Sequence, residues 1–133
     1  MENSALKIKL AVLWLSLAEL LSVAAFFASS GLYPELTEEM IAEGEGFGLI
    51  STLFWLILLA MAFLSLTLKD STNRRANIIA GIVFAAFFLI GLGDDLRLGR
   101  PTLSLIDASM VVVAVLIVWL AWKWPKQEVA PKG

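Results

Sequence analysis

Four long apolar stretches dominate this sequence and constrain its fold more than any other feature. They cover approximately residues 10–29, 47–68, 76–92 and 103–122. A helix needs about 20 mainly apolar residues to cross the hydrocarbon core of a bilayer, at a rise of about 1.5 Å per residue. Backbone N–H and C=O groups must be paired internally there, which favours helices. The sequence therefore predicts an all-α fold, a four-helix transmembrane bundle that forms a single membrane domain over residues 1–133.

The composition of the chain leads to the same class of protein. Of its 133 residues, 59% are hydrophobic and only 17% are charged, whereas soluble domains are roughly half apolar. The chain has no cysteine and no histidine, which excludes disulfides, thiolate nucleophiles, histidine-ligated haem and the usual zinc sites. No basic stripe indicates nucleic-acid binding. We therefore expect the lipid bilayer as a partner, with no cofactor and no nucleic acid.

The connections between the apolar stretches are mostly short. We expect residues 69–75 to join spans two and three, and residues 93–102 to join spans three and four, with Gly93, Gly99 and Pro101 as breakers.

The longest connection carries the segment YPELTEEMIAEG. Its apolar residues Leu36, Met40 and Ile41 lie near one helical face, and its glutamates lie largely elsewhere. This pattern predicts a short extracytoplasmic amphipathic helix on the membrane surface, between spans one and two. A plain acidic loop is the alternative.

Lysine and arginine are distributed unevenly between the two sides of the predicted bundle. Cytoplasmic loops are enriched in positive residues, so we expect a multi-pass protein of the inner (cytoplasmic) membrane with both termini in the cytoplasm. The alternative is a cleaved signal peptide over residues 1–30, although its apolar run is long for one and contains a glutamate. With both termini in the cytoplasm, two basic residues, Arg97 and Arg100, lie outside. Eight basic residues lie inside: Lys7, Lys9, Lys69, Arg74, Arg75, Lys123, Lys126 and Lys132.

Glu19 is the first candidate functional residue. It lies ten residues beyond Lys9, about 15 Å deep by helical rise, where a charge costs at least ~2.5–3.5 kcal/mol. Ser16 and Ser22 lie three residues to either side, so the three form a polar stripe on one face. We expect this stripe to face protein or water. It is either a site for a proton or a ligand, or a hydrogen-bonded contact between helices.

Asp107 is the second candidate, about 7 Å into span four from its outer end. The segment GDDLRLGR supplies Asp94, Asp95, Arg97 and Arg100 on the same side. We expect these four to pair at an outer rim, with an arginine within reach of Asp107. Paired aspartates also suggest Mg²⁺ chemistry. A second acidic motif that would complete such a site is missing, so a salt-bridged loop is favoured and no metal is predicted.

Small residues predict where the helices approach each other closely. Asn77, Gly81 and Ala85 recur every four residues in span three, and Ala114 and Ala121 occur in span four. A face of small side chains permits close packing of membrane helices.

Three segments carry a resemblance to a known family: KIKLAVLW in span one, NRRANIIAG at the start of span three and VWLAWKWP at the end of span four. Together with the amphipathic helix, they resemble an uncharacterised family of small bacterial four-span integral membrane proteins, a domain of unknown function. The resemblance implies a four-helix architecture over nearly the whole chain. It implies no established activity and no functional residues.

Three functional hypotheses follow. The leading one is a non-enzymatic accessory or interaction protein, as a small homo-oligomer or with a membrane-protein partner, because no complete catalytic constellation is present. The second is a small proton-linked transporter or channel that uses the intramembrane Glu19. The third is a membrane enzyme of the outer leaflet that uses Asp94, Asp95 and Asp107.

Overall fold

The chain forms five helices in a computed structural model that describes residues 3–124. The part of the chain that is described contains no strand. The predicted all-α fold is confirmed, with four helices long and apolar enough to cross a membrane and a shorter one between the first two. The helices are α1 (Ser4–Ser29), α2 (Pro34–Glu43), α3 (Glu45–Thr67), α4 (Asp70–Arg97) and α5 (Pro101–Trp122). Lys126 and Lys132, which entered the orientation argument, lie outside the described residues.

Local chemistry explains where the helices begin and end. Pro34 and Pro101 open α2 and α5, at a position where the missing proline N–H has no helical partner to lose. Gly44 and Gly99 have φ angles of 57° and 69°, a region that favours glycine. Each of these glycines therefore allows the chain to turn sharply between two helices.

Two predicted connections were too long. The link between α3 and α4 consists of Leu68 and Lys69, and residues 70–75 already belong to α4. At its other end α4 continues past Gly93 as far as Arg97, because a single glycine weakens a helix by only about 1 kcal/mol. Asp94 and Asp95 are therefore helical residues and not loop residues.

Consecutive long helices run in opposite directions. Asn3 contacts Asp70 at one end of the bundle, and Tyr33 contacts Thr102 at the other. We call the first the N-terminal end and the second, which carries α2, the α2 end. Helix α4 packs along α5, and α1 packs against both α3 and α5, whereas α3 and α4 make few contacts. Among neighbouring long helices, the packing is therefore loosest between α3 and α4.

Helices α4 and α5 approach each other closely at Gly81. A Cβ atom added to Gly81 would lie 2.6 Å from Cγ2 of Val118, so a larger residue cannot occupy this position without movement of its neighbour. Ala114 and Ala121 are fully buried on the α5 side. These residues form the small-residue contact that the sequence predicts between spans three and four.

The outward surface of the four long helices is apolar. Many large hydrophobic side chains on it are more than 60% exposed, among them Phe26, Phe63, Ile90, Leu105 and Trp122. An apolar surface of this extent indicates contact with a membrane or with other proteins. It is consistent with a multi-pass membrane protein.

A buried hydrogen-bond network joins α1, α3 and α4 towards the N-terminal end. The indole N–H of Trp14 donates to Oδ1 of Asn77 (2.6 Å), and the Ser65 hydroxyl donates to the same oxygen (3.2 Å). Nδ2 of Asn77 donates to Oδ1 of Asn73 (2.7 Å). In turn, Nδ2 of Asn73 donates to the carbonyl oxygens of Ser65 (2.8 Å) and Leu68 (3.3 Å), near the end of α3. We call Trp14, Ser65, Asn73 and Asn77 the polar clamp.

Charged residues reinforce the same end of the bundle. Nδ2 of Asn3 donates to Oδ2 of Asp70 (2.6 Å), and Nζ of Lys7 lies 3.3 Å from Oδ1 of Asp70. Lys7 also donates to the carbonyl oxygen of Leu68 (3.1 Å). This bond gives a hydrogen-bond partner to one of the carbonyl groups left unpaired at the end of α3. The start of α1 is thus tied to the turn between α3 and α4, and these two helices are held together here while they are loosely packed further along.

Candidate ligand-binding cleft

A cleft of about 730 Å³ lies at the α2 end, where α3 and α4 separate. Phe54 of α3 and Phe87 of α4, with ring centroids 4.7 Å apart, line it. Phe54 also packs against the buried Phe84, at 6.2 Å between centroids. These rings close the space towards the N-terminal end. Sites for small molecules commonly have volumes of roughly 300–1,000 Å³, so the cleft is large enough for a ligand.

The walls of the cleft are mainly apolar and come from all five helices. Helix α1 presents small side chains, because Ala24, Ala25 and Ala28 all face this space. Opposite them, α3 contributes large side chains that include Phe47 and Trp55. The width of the cleft therefore results from the alanines of α1 as well as from the separation of α3 and α4.

Asp107 lies in the wall of the cleft, in the second turn of α5. Its side chain belongs to a residue that is only 7% exposed. Within residues 3–124, its buried Oδ2 atom has no hydrogen-bond partner. A Cβ atom at Gly91 of α4 would lie 3.7 Å from this oxygen, so α4 passes the carboxyl group without a side chain to cover it. The arrangement places a buried carboxyl oxygen without a partner in the wall of the cleft.

Asp95 and Arg100 form an ion pair beside Asp107. Nη1 of Arg100 lies 3.1 Å from Oδ1 of Asp95, and their side chains are only 16% and 13% exposed. The backbone N–H of Arg100 also donates to the Asp95 carbonyl (2.9 Å), which folds the α4–α5 turn back onto α4. The structure thus pairs Arg100 with Asp95, and not with Asp107 as the sequence suggested.

Asp94 and Arg97 form a second pair at the mouth of the cleft. Nη2 of Arg97 lies 3.2 Å from Oδ1 of Asp94, one helical turn away, and both side chains are more than half exposed. Exposed pairs of this kind contribute little to stability. All four residues predicted at the outer rim therefore lie together at the α2 end, in two separate pairs.

The polar stripe of α1 lies elsewhere. Glu19 is on the exposed face of α1, whereas Ala28, nine residues on, faces the cleft. Nine residues of α-helix turn the side-chain direction by about two and a half turns, so the two residues point in opposite directions. The described chain does not enclose Glu19, so the expectation that the stripe faces protein or water stays a prediction.

The two serines of the stripe bond to their own helix. Ser16 donates to the carbonyl of Val12 (2.9 Å) and Ser22 to that of Ala18 (3.0 Å). Ser22 also lines the cleft, at the edge of the α1 wall. These two hydroxyl groups thus donate to the backbone of α1 and not to Glu19.

The acidic residues at the α2 end do not form a metal centre. Among the described residues, no group of three or more Asp and Glu side chains is placed to hold a metal ion. Asp94 and Asp95 each contact an arginine instead. The geometry of this part of the chain thus offers the three aspartates no shared metal position.

Sequence reasoning missed two features that shape the site. Gly91 was not singled out, although α4 passes the carboxyl group of Asp107 at this glycine and both residues line the cleft. Asn77 was interpreted as part of a small-residue face, whereas its side chain is an acceptor and donor in the polar clamp. The signal for the clamp is the spacing of Asn73 and Asn77, four residues apart on one face of an otherwise apolar helix.

Comparisons of the chain with protein-family models, with curated proteins and with solved structures gave no match. The resemblance to uncharacterised four-span membrane proteins therefore stays a prediction, and the function must be argued from the cleft itself.

Proposed function

We propose that this chain is a non-enzymatic multi-pass membrane protein that binds an amphiphilic molecule in the cleft between α3 and α4. The observation that carries the proposal is the cleft, a space of about 730 Å³ with mainly apolar walls and with its charged groups towards the α2 end. An apolar body fits between Phe54 and the alanines of α1. A polar head fits near Asp107 and Arg100.

The route into the cleft supports an amphiphile rather than a water-soluble ligand. Helices α3 and α4 make few contacts with each other, and the rim residues Trp55 and Phe87 are 39% and 45% exposed. In a bilayer, this gap faces the acyl chains. A molecule already dissolved in the membrane therefore enters sideways, without passing through water.

We also propose that the protein lies in the inner (cytoplasmic) membrane with its N-terminal end towards the cytoplasm. Lys7, Lys9, Lys69 and Arg75 lie at that end, whereas the α2 end has two arginines that are both paired with aspartates. The excess of positive charge at one end favours the cytoplasmic side. In this orientation the cleft opens to the outer leaflet.

Binding of an uncharged fluorescent probe, a dodecyl chain that carries a dansyl amide, tests the proposal in sugar-detergent micelles. We expect saturable binding with one probe per chain. Ala25→Trp fills the cleft and should weaken binding at least about tenfold, a loss of about 1.4 kcal/mol. Ala60→Trp, at an exposed alanine of α3, is the matched control and should change it less than twofold. Binding that does not saturate, or an equal effect of the two variants, contradicts the proposal.

A second candidate function follows from the position of Glu19. A carboxyl group near the middle of a span is costly against lipid, by at least ~2.5–3.5 kcal/mol, and contact with a second copy of this chain removes it from lipid. The Ser16 hydroxyl donates inward to Val12, so its oxygen can accept a hydrogen bond from a carboxyl group of the other copy. The transport hypothesis depends on such an oligomer, because Glu19 and the cleft are on different faces of α1.

The hypothesis of an outer-leaflet enzyme has less support. Of its three aspartates, Asp94 is exposed and bound to Arg97, and Asp95 is bound to Arg100. Asp107 alone is left to act on a ligand in this part of the chain. A single carboxyl group suits binding better than a two-residue acid–base reaction.

A further inference from the structure

We infer that the head group bound in the cleft is an organic cation, a tertiary or quaternary ammonium on an apolar body, held by Asp107. This inference rests on the proposed function, since it assigns a chemical class to the ligand of the same cleft. It goes beyond that function because a lipid-like ligand could equally be neutral or anionic.

The charges on the cleft wall favour a cation. Among the described residues of the cleft wall, the basic one is Arg100. Its guanidinium already pairs with Asp95, with 3.1 Å between Nη1 and Oδ1. Asp94 has its own partner, Arg97. The acidic residues of the wall outnumber this single arginine: they are Glu43, Asp94, Asp95 and Asp107. An anionic head group would thus meet a negative surface, and a cation would meet an attractive one.

Asp107 supplies the specific contact. With the residue 93% buried, its Oδ2 atom has no hydrogen-bond partner among residues 3–124. A buried carboxyl oxygen without a partner is unfavourable in the free protein. Helix α4 passes this oxygen at Gly91 with no side chain between the two, and both residues line the cleft. A positive group in the cleft gives Oδ2 the partner that it lacks in the free chain.

Aromatic side chains favour an organic cation over a hydrated one. Phe47, Phe54, Trp55 and Phe87 all line the cleft, and the faces of aromatic rings attract ammonium groups within about 6 Å. A metal ion requires several oxygen ligands, and the described acidic residues are not grouped for that purpose. A cleft that is lined by four aromatic side chains and holds one buried carboxyl group without a metal-binding cluster therefore matches a bulky, weakly hydrated ammonium.

Three competitors of the dansyl probe test this inference. They share a dodecyl chain and differ in the head: trimethylammonium, its uncharged tert-butyl isostere, and an uncharged dimethylamide that only accepts hydrogen bonds. Each is titrated against bound probe in micelles of an uncharged sugar detergent. We expect the ammonium to compete at concentrations roughly 10- to 100-fold lower than its isostere, as for a hydrogen bond or contact with a charged group.

Variants of the protein assign the effect to Asp107. Asp107→Asn should abolish the difference between the ammonium and its isostere while the probe still binds, which shows that the variant is folded. Gly91→Leu, which keeps Asp107 but places a bulky side chain beside its carboxyl group in the cleft wall, should do the same. Glu38→Gln removes the same charge from the exposed surface of α2, outside the cleft, and should leave the preference intact.

The remaining outcomes separate the inference from the proposed function. Equal competition by the ammonium and its isostere overturns the inference and leaves the cleft as a site for neutral amphiphiles. Stronger competition by the dimethylamide also overturns it, because Asp107 then acts as a hydrogen-bond donor. A loss of preference in Glu38→Gln as large as in Asp107→Asn overturns it as well. Failure of the dansyl probe itself to bind overturns the proposed function.

Discussion

The indole N–H of Trp14 in α1 donates a hydrogen bond to Oδ1 of Asn77 in α4 at 2.6 Å, and both residues are fully buried. Asn77 accepts a second hydrogen bond from Ser65 of α3. One amide oxygen therefore links three of the four long helices. Because these bonds lie towards the N-terminal end, α3 and α4 can separate at the α2 end and leave room for the cleft.

Replacement of Asn77 by leucine should destabilise the protein, because the buried Trp14 and Ser65 donors lose their acceptor. Each unsatisfied buried donor costs about 1–3 kcal/mol. A double-mutant cycle with Trp14→Phe isolates the pair, and interhelical polar contacts in membranes give coupling energies of about 0.6 to 1.7 kcal/mol. Denaturation in mixed SDS micelles measures all four free energies of unfolding. Additive effects of the two substitutions would contradict the role of this bond.

Gly81→Ala should destabilise the contact between α4 and α5. The new methyl group would lie 2.6 Å from Cγ2 of Val118, and overpacking of this kind costs about 1–3 kcal/mol. Gly93→Ala is the matched control, since a Cβ there meets no described atom within 4 Å. In a helix, that change should be neutral or stabilise the protein by up to about 1 kcal/mol. Thermal unfolding of both variants in detergent should give shifts of opposite sign, or a shift for Gly81→Ala alone.

Asp107→Leu should make the free protein more stable. The substitution removes a buried oxygen without a partner in the described chain, a feature that costs about 1–3 kcal/mol. Asp94→Leu, at an exposed residue of the same end, should change the free energy of unfolding by about 0.5 kcal/mol or less. Unfolding in detergent without ligand measures both changes. A clear loss of stability in Asp107→Leu would mean that Asp107 is a structural residue.

Glu19→Leu should weaken self-association and leave the cleft unaffected. The side chain is exposed on the face of α1 that points away from Ala28, so probe binding in the cleft should change less than twofold. Energy transfer between labelled copies in vesicles measures association, with Leu15→Ala on the same exposed surface as the apolar control. If both variants associate like the original chain, the contact through Glu19 is excluded.

Cysteine labelling should give the orientation in the membrane. The chain has no cysteine, so each single substitution reports one position. An impermeant maleimide on intact cells should label Glu38→Cys in α2 and should label Ser71→Cys, near the turn between α3 and α4, only after permeabilisation. The opposite pattern would reverse the proposed orientation and would place the cleft in the cytoplasmic leaflet.

The sequence predicts the helices of this protein better than their contacts. The lengths of the apolar runs indicate the four long helices, and the spacing of Leu36 and Met40 together with Pro34 indicates α2. These signals are local, because they depend on the periodicity and ends of a single helix. The acidic residues at 94 and 95 were assigned to a loop because Gly93 was interpreted as a breaker, although one glycine in a long helix does not end it.

The position of Glu19 shows why the site was harder to predict. Periodicity correctly places Ser16 and Glu19 on neighbouring parts of one helix surface, but it does not say which surface meets the other helices. The surface of α1 that meets the other helices is the one that carries Trp14 and Leu17. Both are fully buried, and they pack against helices that are distant in the sequence. The gap between α3 and α4, and with it the cleft beside Asp107, results from the same long-range packing.

The polar clamp gives the hairpin of α3 and α4 a fixed pivot. We expect thermal motion of this hairpin to be smallest at Ser65 and Asn77 and to increase towards Ile50 and Gly91, so that the width of the cleft changes with it. A bound molecule would restrict that motion. Amide hydrogen exchange should therefore slow most in residues 47–55 when ligand binds, while exchange around the pivot stays unchanged.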